Sequence, residues 1–155
     1  MLTGVARGGL FPRYELLDGE DRAAELEVTA FRERMTIRAQ DSEWRGRSSG
    51  WFRSSFALED EHGKAVAHAE KPSLFRRRLE VRIEGRPYRL EAASAFRRTF
   101  VLKEGGRQVG SIAPEGVFSR RIRADLPATL ALPVRAFLVG LVIVQWRRAA
   151  RRHAG

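Results

Sequence analysis

Leu130-Ala131-Leu132-Pro133-Val134-Arg135-Ala136-Phe137-Leu138-Val139-Gly140-Leu141-Val142-Ile143-Val144-Gln145-Trp146 is the only long apolar run in a chain of 155 residues, and its reading decides the fold. Arg135, Gly140 and Gln145 alone interrupt its aliphatic and aromatic character. On a 3.6-residue helix Val134, Phe137, Leu138, Val139, Leu141, Val142, Ile143 and Val144 point in all directions, so no face is left for water. A helix that is apolar all round must be sheathed, either by protein or by lipid. Pro133 suits a first helical position, and Arg147, Arg148, Arg151 and Arg152 suit the negative end of a helix dipole. A helix over about 133–148 would be roughly 24 Å long at 1.5 Å per residue. A spanning segment wants about 20 apolar residues to cross roughly 30 Å of hydrocarbon. The run is short for that, so burial inside protein is the expectation, and a tail anchor spanning 130–146 is the alternative.

Outward from this run the chain reads as short strands. Glu25-Leu26-Glu27-Val28-Thr29 and Leu79-Glu80-Val81-Arg82-Ile83-Glu84 alternate with a period of two, which puts their apolar members on one face. Tyr88-Arg89-Leu90-Glu91 resumes the pattern after Gly85-Arg86-Pro87, so 79–91 reads as a hairpin. Glu61-His62-Gly63-Lys64 and Glu104-Gly105-Gly106-Arg107 read as further turns. The strands also repeat. Phe56-Ala57-Leu58, Gly63-Lys64-Ala65-Val66 and Leu74–Leu79 align with Phe100-Val101-Leu102, Gly106-Arg107-Gln108-Val109 and Val117–Ile122, at an offset of 43 to 44 residues. Tyr14-Glu15-Leu16 leading into Asp18-Gly19 opens a weaker third copy. Two or three copies are too few for a propeller, which leaves a barrel or wrapped sheet of meanders, the inward residues packing round the rod. Residues 1–13, with Gly4, Gly8, Gly9 and Pro12, read as a flexible arm before a single domain over 14–150.

Hydrophobic content of 43% and charged content of 31% are those of a globular chain. There is no cysteine, which excludes disulfides, thiolate nucleophiles and Cys-based metal sites. The first residues show no charged stretch followed by an apolar one, so a cytoplasmic protein is the expectation. The net charge of +10 is carried almost wholly by arginine and points to anionic partners: an acidic membrane surface, an acidic protein, or nucleic acid.

The repeated units, together with the ending Leu132-Pro133-Val134-Arg135-Ala136-Phe137-Leu138 running to Trp146-Arg147-Arg148, resemble the tubby C-terminal, LURP-one and phospholipid scramblase superfamily over roughly residues 14–148. The resemblance implies a closed barrel of about twelve antiparallel strands around a central C-terminal helix, a mostly β fold. It also implies binding of phosphoinositides or other anionic lipid. The palmitoylated cysteines and acidic calcium loop of scramblase-type members have no counterpart here, which puts lipid scrambling in doubt.

Arg76, Arg77 and Arg78 in one repeat correspond to Arg120, Arg121 and Arg123 in the other, and these six are the candidate lipid- or anion-binding residues, with Arg97 and Arg98 as possible additions. Guanidinium groups bind phosphate oxygens bidentately; the alternative is that these are solvated strand faces. Trp146 beside Arg147, Arg148, Arg151 and Arg152 has an interfacial look, against which stands simple capping of the helix end. His62 and His68 lie near Glu59, Asp60 and Glu61 without a compact ligand spacing, so no metal is expected. Ser48, Ser49, Ser54 and Ser55 lack the Gly-x-Ser-x-Gly elbow of a hydrolase. Trp44, Trp51, Phe52, Phe56, Phe75, Phe96, Phe100 and Phe118 are interleaved with arginines, which suits single-stranded nucleic acid or, more simply, a core around the helix. The expectation is a non-enzymatic binding module with no cofactor.

Overall fold

The computed structural model describes residues 1–9, 13–29, 33–49, 55–71, 78–94, 98–116 and 120–154. They form twelve strands and one helix: β1 (Leu2–Arg7), β2 (Arg13–Asp18), β3 (Asp21–Val28), β4 (Met35–Ala39), β5 (Ser42–Ser49), β6 (Ser55–Glu59), β7 (Ala65–Glu70), β8 (Arg78–Ile83), β9 (Arg86–Ala92), β10 (Phe100–Glu104), β11 (Arg107–Pro114), β12 (Arg121–Asp125) and α1 (Leu132–Ala154). Every strand pairs antiparallel with its neighbours in the chain, and β1 also pairs with β12, so the sheet closes on itself. The seam is in register from Leu2 opposite Ala124 to Val5 opposite Arg121.

Alternation drives this architecture. Leu26 and Val28, Met35 and Ile37, Phe56 and Leu58, Leu79 and Val81, and Phe100 and Leu102 are each buried on one face of their strand. A barrel of about eight strands fills its own interior with side chains, and twelve leave a lumen to be filled. α1 fills it. Val134, Ala136–Val139 and Leu141–Val144 are at most 4% exposed, on every face of the helix. Each large apolar side chain so buried contributes about 1.5–3 kcal/mol.

One wall comes unusually close. Met35 on β4 lies opposite Gly46 on β5 and beneath Gly140 of α1. A Cβ at Gly140 would sit 2.5 Å from Met35 Sδ, and a Cβ at Gly46 would sit 3.0 Å from Met35 Cβ. Two missing side chains therefore make room for one thioether.

The closed barrel around a C-terminal helix agrees with the sequence reading, and two boundaries change. The residues read as a flexible arm contain β1, the strand that closes the barrel: Leu2 is 1% exposed, and an added Cβ at Gly4 would stand 3.4 Å from both Ile122 and Leu16. At that distance an added methyl would make ordinary contact, so Gly4 is an inward strand position paired with Ile122 and Leu16 and not a loop residue. Tyr14-Glu15-Leu16, the opening of the weaker third copy, lies in β2, and Gly19 turns the chain into β3. The helix begins one residue earlier than expected and runs to Ala154, because its terminal arginines continue it instead of fraying. Leu74–Arg77 and Val117–Ser119 of the two repeats lie outside the described residues.

The spanning alternative for 130–146 is corrected by the enclosure of α1, whose sheath is the chain's own sheet. No helix among the described residues is long and apolar enough to cross a membrane.

Candidate functional site: an arginine rim where the helix leaves the barrel

Antiparallel order sorts the loops into two rims. Strands β2 and β3, β4 and β5, β8 and β9, and β10 and β11 are joined at one rim by short turns. Gln40-Asp41, Glu84-Gly85 and Gly105-Gly106 have positive φ at both central residues, the geometry that matches the twist of two-residue hairpins. The ends of β1, β3, β5, β7, β9 and β11 meet the starts of the strands after them at the opposite rim. Since α1 follows β12, it enters at the hairpin rim and leaves at the other.

Four helix side chains fix that exit. Trp146 donates its indole N–H to the Arg98 carbonyl at 2.8 Å, and the Arg98 guanidinium lies 4.7 Å above the indole ring. Arg147 donates to the Val28 carbonyl at 2.7 Å. Arg148 grips the Glu33 carboxylate bidentately at 2.7 and 2.8 Å, and its guanidinium stands 5.3 Å from the Phe56 ring centroid. Arg151 approaches the same carboxylate at 3.6 Å. Trp146, Arg147 and Arg148 are therefore engaged by the barrel, which favours the structural reading of the tail over an interfacial one; Arg151 and Arg152 remain exposed. Lys71, also buried, lies 3.4 Å from Gln145 Oε1.

The two rims differ in charge. Arg7, Arg13, Arg34, Arg98, Arg120, Arg121, Arg151 and Arg152 are exposed at or beside the exit rim, where the exposed acids among the described residues are Glu70 and Glu115. The hairpin rim carries Asp18, Glu20, Asp21, Asp41, Glu61 and Glu84 on its exposed turns, offset by Arg22, Lys64, Arg82, Arg86 and Arg107 beside them, so it is close to neutral where the exit rim is basic. Asp60 belongs to the same rim. Backbone N–H groups of Lys64 and His62 donate to its carboxylate, both at 2.9 Å, and the first of these is the main reason its pKa lies below 3.8.

The six candidate arginines divide. Arg76 and Arg77 lie outside the described residues, as does Arg97. Arg78 starts β8 at the exit rim, half-buried and 3.3 Å from Glu80. Arg120 and Arg121 stand at the same rim; Arg120 donates to the Gly8 carbonyl at 2.6 Å, and Arg121 is 56% exposed and 3.5 Å from Glu115. Arg123 lies further along β12, opposite Thr3, on the outer wall. Arg78 of one repeat and Arg120 and Arg121 of the other thus stand at one end of the barrel, but β9, β10 and β11 separate β8 from β12, so they line a rim and do not form one pocket. Arg7, Arg13 and Arg34 escaped the sequence reading because only barrel closure brings them to that rim.

The other candidates resolve into structure. His62 is on an exposed turn 3.6 Å from Glu61, and His68 is exposed on β7. Among the described residues no group of three or more His, Asp or Glu side chains could hold a metal ion. Phe56 and Phe100 are buried against α1 and offer no stacking platform; Trp51, Phe52, Phe75, Phe96 and Phe118 lie outside the described residues. Ser48, Ser49 and Ser55 sit in paired strands, and Ser54 is not described. A groove of about 590 Å³ beside the hairpin rim contains Arg22, Glu25 and Arg38, whose ion pairs at 2.7 and 3.3 Å satisfy one another. No protein-family model, curated protein or solved structure matches the chain.

Proposed function

We propose that this chain is a non-enzymatic, peripheral binding module that docks its arginine rim on anionic phospholipid headgroups at a cytoplasmic membrane face. The observation that carries the proposal is the segregation of charge along the barrel axis. An arginine close to an anionic leaflet contributes about 1 kcal/mol, and the attraction decays within a Debye length of about 10 Å. Strands of five to eight residues make the wall about 20 Å tall, so the near-neutral hairpin rim, where most of the exposed turn carboxylates lie, is screened from a surface that the exit rim touches. The surplus of +10 is therefore felt as a strongly basic end. The barrel-and-rod architecture is the one implied by the tubby-like resemblance, and it supports membership of that superfamily as part of the same proposal. Nucleic acid is the weaker partner, because Phe56 and Phe100 face the core.

Co-sedimentation with vesicles tests the reading. The protein pellets with phosphatidylglycerol vesicles at low salt, less so at moderate salt, and not with neutral vesicles. Arg120→Glu combined with Arg121→Glu abolishes pelleting. Arg82→Glu combined with Arg107→Glu, the same change in net charge at the hairpin end, leaves most of it. Equal loss in both pairs, or no enrichment over neutral vesicles, overturns the proposal.

A further inference from the structure

We infer that the Arg148–Arg151 pair is a phosphomonoester site which the chain keeps closed with its own Glu33 carboxylate; the lipid form of this inference rests on the docking reading above. Glu33 is one of three buried polar or charged residues among those described, with its side chain 6% exposed. It makes the contacts that a bound anion would make: two oxygens on the fork of Arg148 and one of them 3.6 Å from Arg151. Guanidinium binds phosphate oxygens in the same bidentate geometry.

Three features suit this site to exchange. First, among the described residues one carboxylate faces two guanidinium groups, and a phosphomonoester carries about −1.5 to −2 near neutral pH, a closer match to two positive charges. Second, Glu33 adopts φ +49°, a conformation that non-glycine residues occupy at a cost. The main chain beside it is pinned independently of the carboxylate, by Arg34 N donating to Thr29 Oγ1 at 3.1 Å and Thr29 N donating to the Arg34 carbonyl at 2.9 Å. Third, Arg151 is 57% exposed at the basic rim, so an anion reaches the fork from the docking side. Helix C-termini repel anions, but Arg147 and Arg152 lie within a turn of the fork and oppose that repulsion. Breaking a buried ion pair is costly when it strands a charge; here phosphate replaces carboxylate on the arginines and Glu33 passes to water.

The test compares Glu33→Gln and Arg151→Gln with the parent chain on three probes. These are vesicles of phosphatidic acid, vesicles of phosphatidylglycerol at matched surface charge, and soluble glycerol phosphate followed by NMR. Glu33→Gln tightens binding to phosphatidic acid by about ten-fold or more, as for a fork open in at most about one molecule in ten, and leaves phosphatidylglycerol nearly unchanged. Arg151→Gln, at an exposed position that does not threaten folding, removes the preference for phosphatidic acid. Melting curves establish that both variants fold. Equal tightening on both lipids marks a mere gain of net charge and overturns the inference, as does an Arg151→Gln variant that keeps the preference. If no vesicle binds, the docking reading fails by itself, and glycerol phosphate still tests the fork: no tighter binding by Glu33→Gln than by the parent refutes it.

Discussion

Replacing Gly140 by alanine sets two known effects against each other. Inside a helix, glycine to alanine ordinarily stabilises by about 1 kcal/mol, through the smaller backbone entropy of the unfolded chain. At this position the new methyl lands 2.5 Å from Met35 Sδ and 3.2 Å from Met35 Cε. Ordinary contact lies at about 3.5–4.0 Å, so something must move by about 1 Å. Met35 is 1% exposed, and its retreat toward the wall meets the β5 backbone at Gly46. Overpacking of this kind costs about 1–3 kcal/mol. The net expectation is a loss of about 1 kcal/mol. Removing the thioether reverses the sign: Met35→Ala costs about 2–5 kcal/mol on its own, and in that background Gly140→Ala gains about 1 kcal/mol. The cycle therefore yields a coupling of about 2 kcal/mol. Urea unfolding followed by circular dichroism and tryptophan fluorescence measures all four proteins. An equal gain from Gly140→Ala in both backgrounds would show that the methyl never meets the sulfur, and the close approach of helix and wall would be refuted.

A chain ending at Pro127 loses the whole lumen filling and does not fold; a cooperative melt or dispersed amide spectrum from that fragment would contradict the rod's role. Trp146→Phe forfeits the indole bond to the Arg98 carbonyl and part of the cation–π contact, a loss of about 1 kcal/mol readable as a lower urea midpoint. Burial, and then the nearby Glu104 charge, push the Tyr88 hydroxyl above its ordinary 10.0. A raised folded-state value means the contribution is fully present below 10.0 and is lost as pH climbs through the folded value. Tyr88→Phe is therefore expected to flatten the alkaline limb of a stability-against-pH curve, and an unchanged limb refutes the assignment.

Much of the fold was legible because one segment, Val134–Val144, offers no polar face, and because Leu26, Val28, Leu79, Val81 and Ile83 recur at a spacing of two. Those patterns state what must be buried and on which side. The first strand was not legible. Leu2-Thr3-Gly4-Val5-Ala6 carries a glycine that reads as a loop, and its pairing with both Leu16 and Ile122 exists only after closure. The candidate site was half visible for the same reason. Arg120 and Arg121 announce themselves as a cluster, whereas Arg7, Arg13 and Arg34 are scattered in the chain and gathered by topology. Glu33 gave no signal at all, since nothing in its neighbourhood marks it as the partner of Arg148, 115 positions away.

Because α1 follows all twelve strands in chain order, the ribosome delivers the wall before the part that fills it. Domains generally begin folding as they emerge, but here Leu26, Phe56, Leu90 and Phe100 have nothing to pack on until Val134–Val144 appear. The final closure, Leu2 against Ala124, is equally late and joins distant parts of the chain, which slows folding. Translation paused between Asp125 and Val139 would leave an open sheet with an oily hollow, the form of this polypeptide most in need of a chaperone.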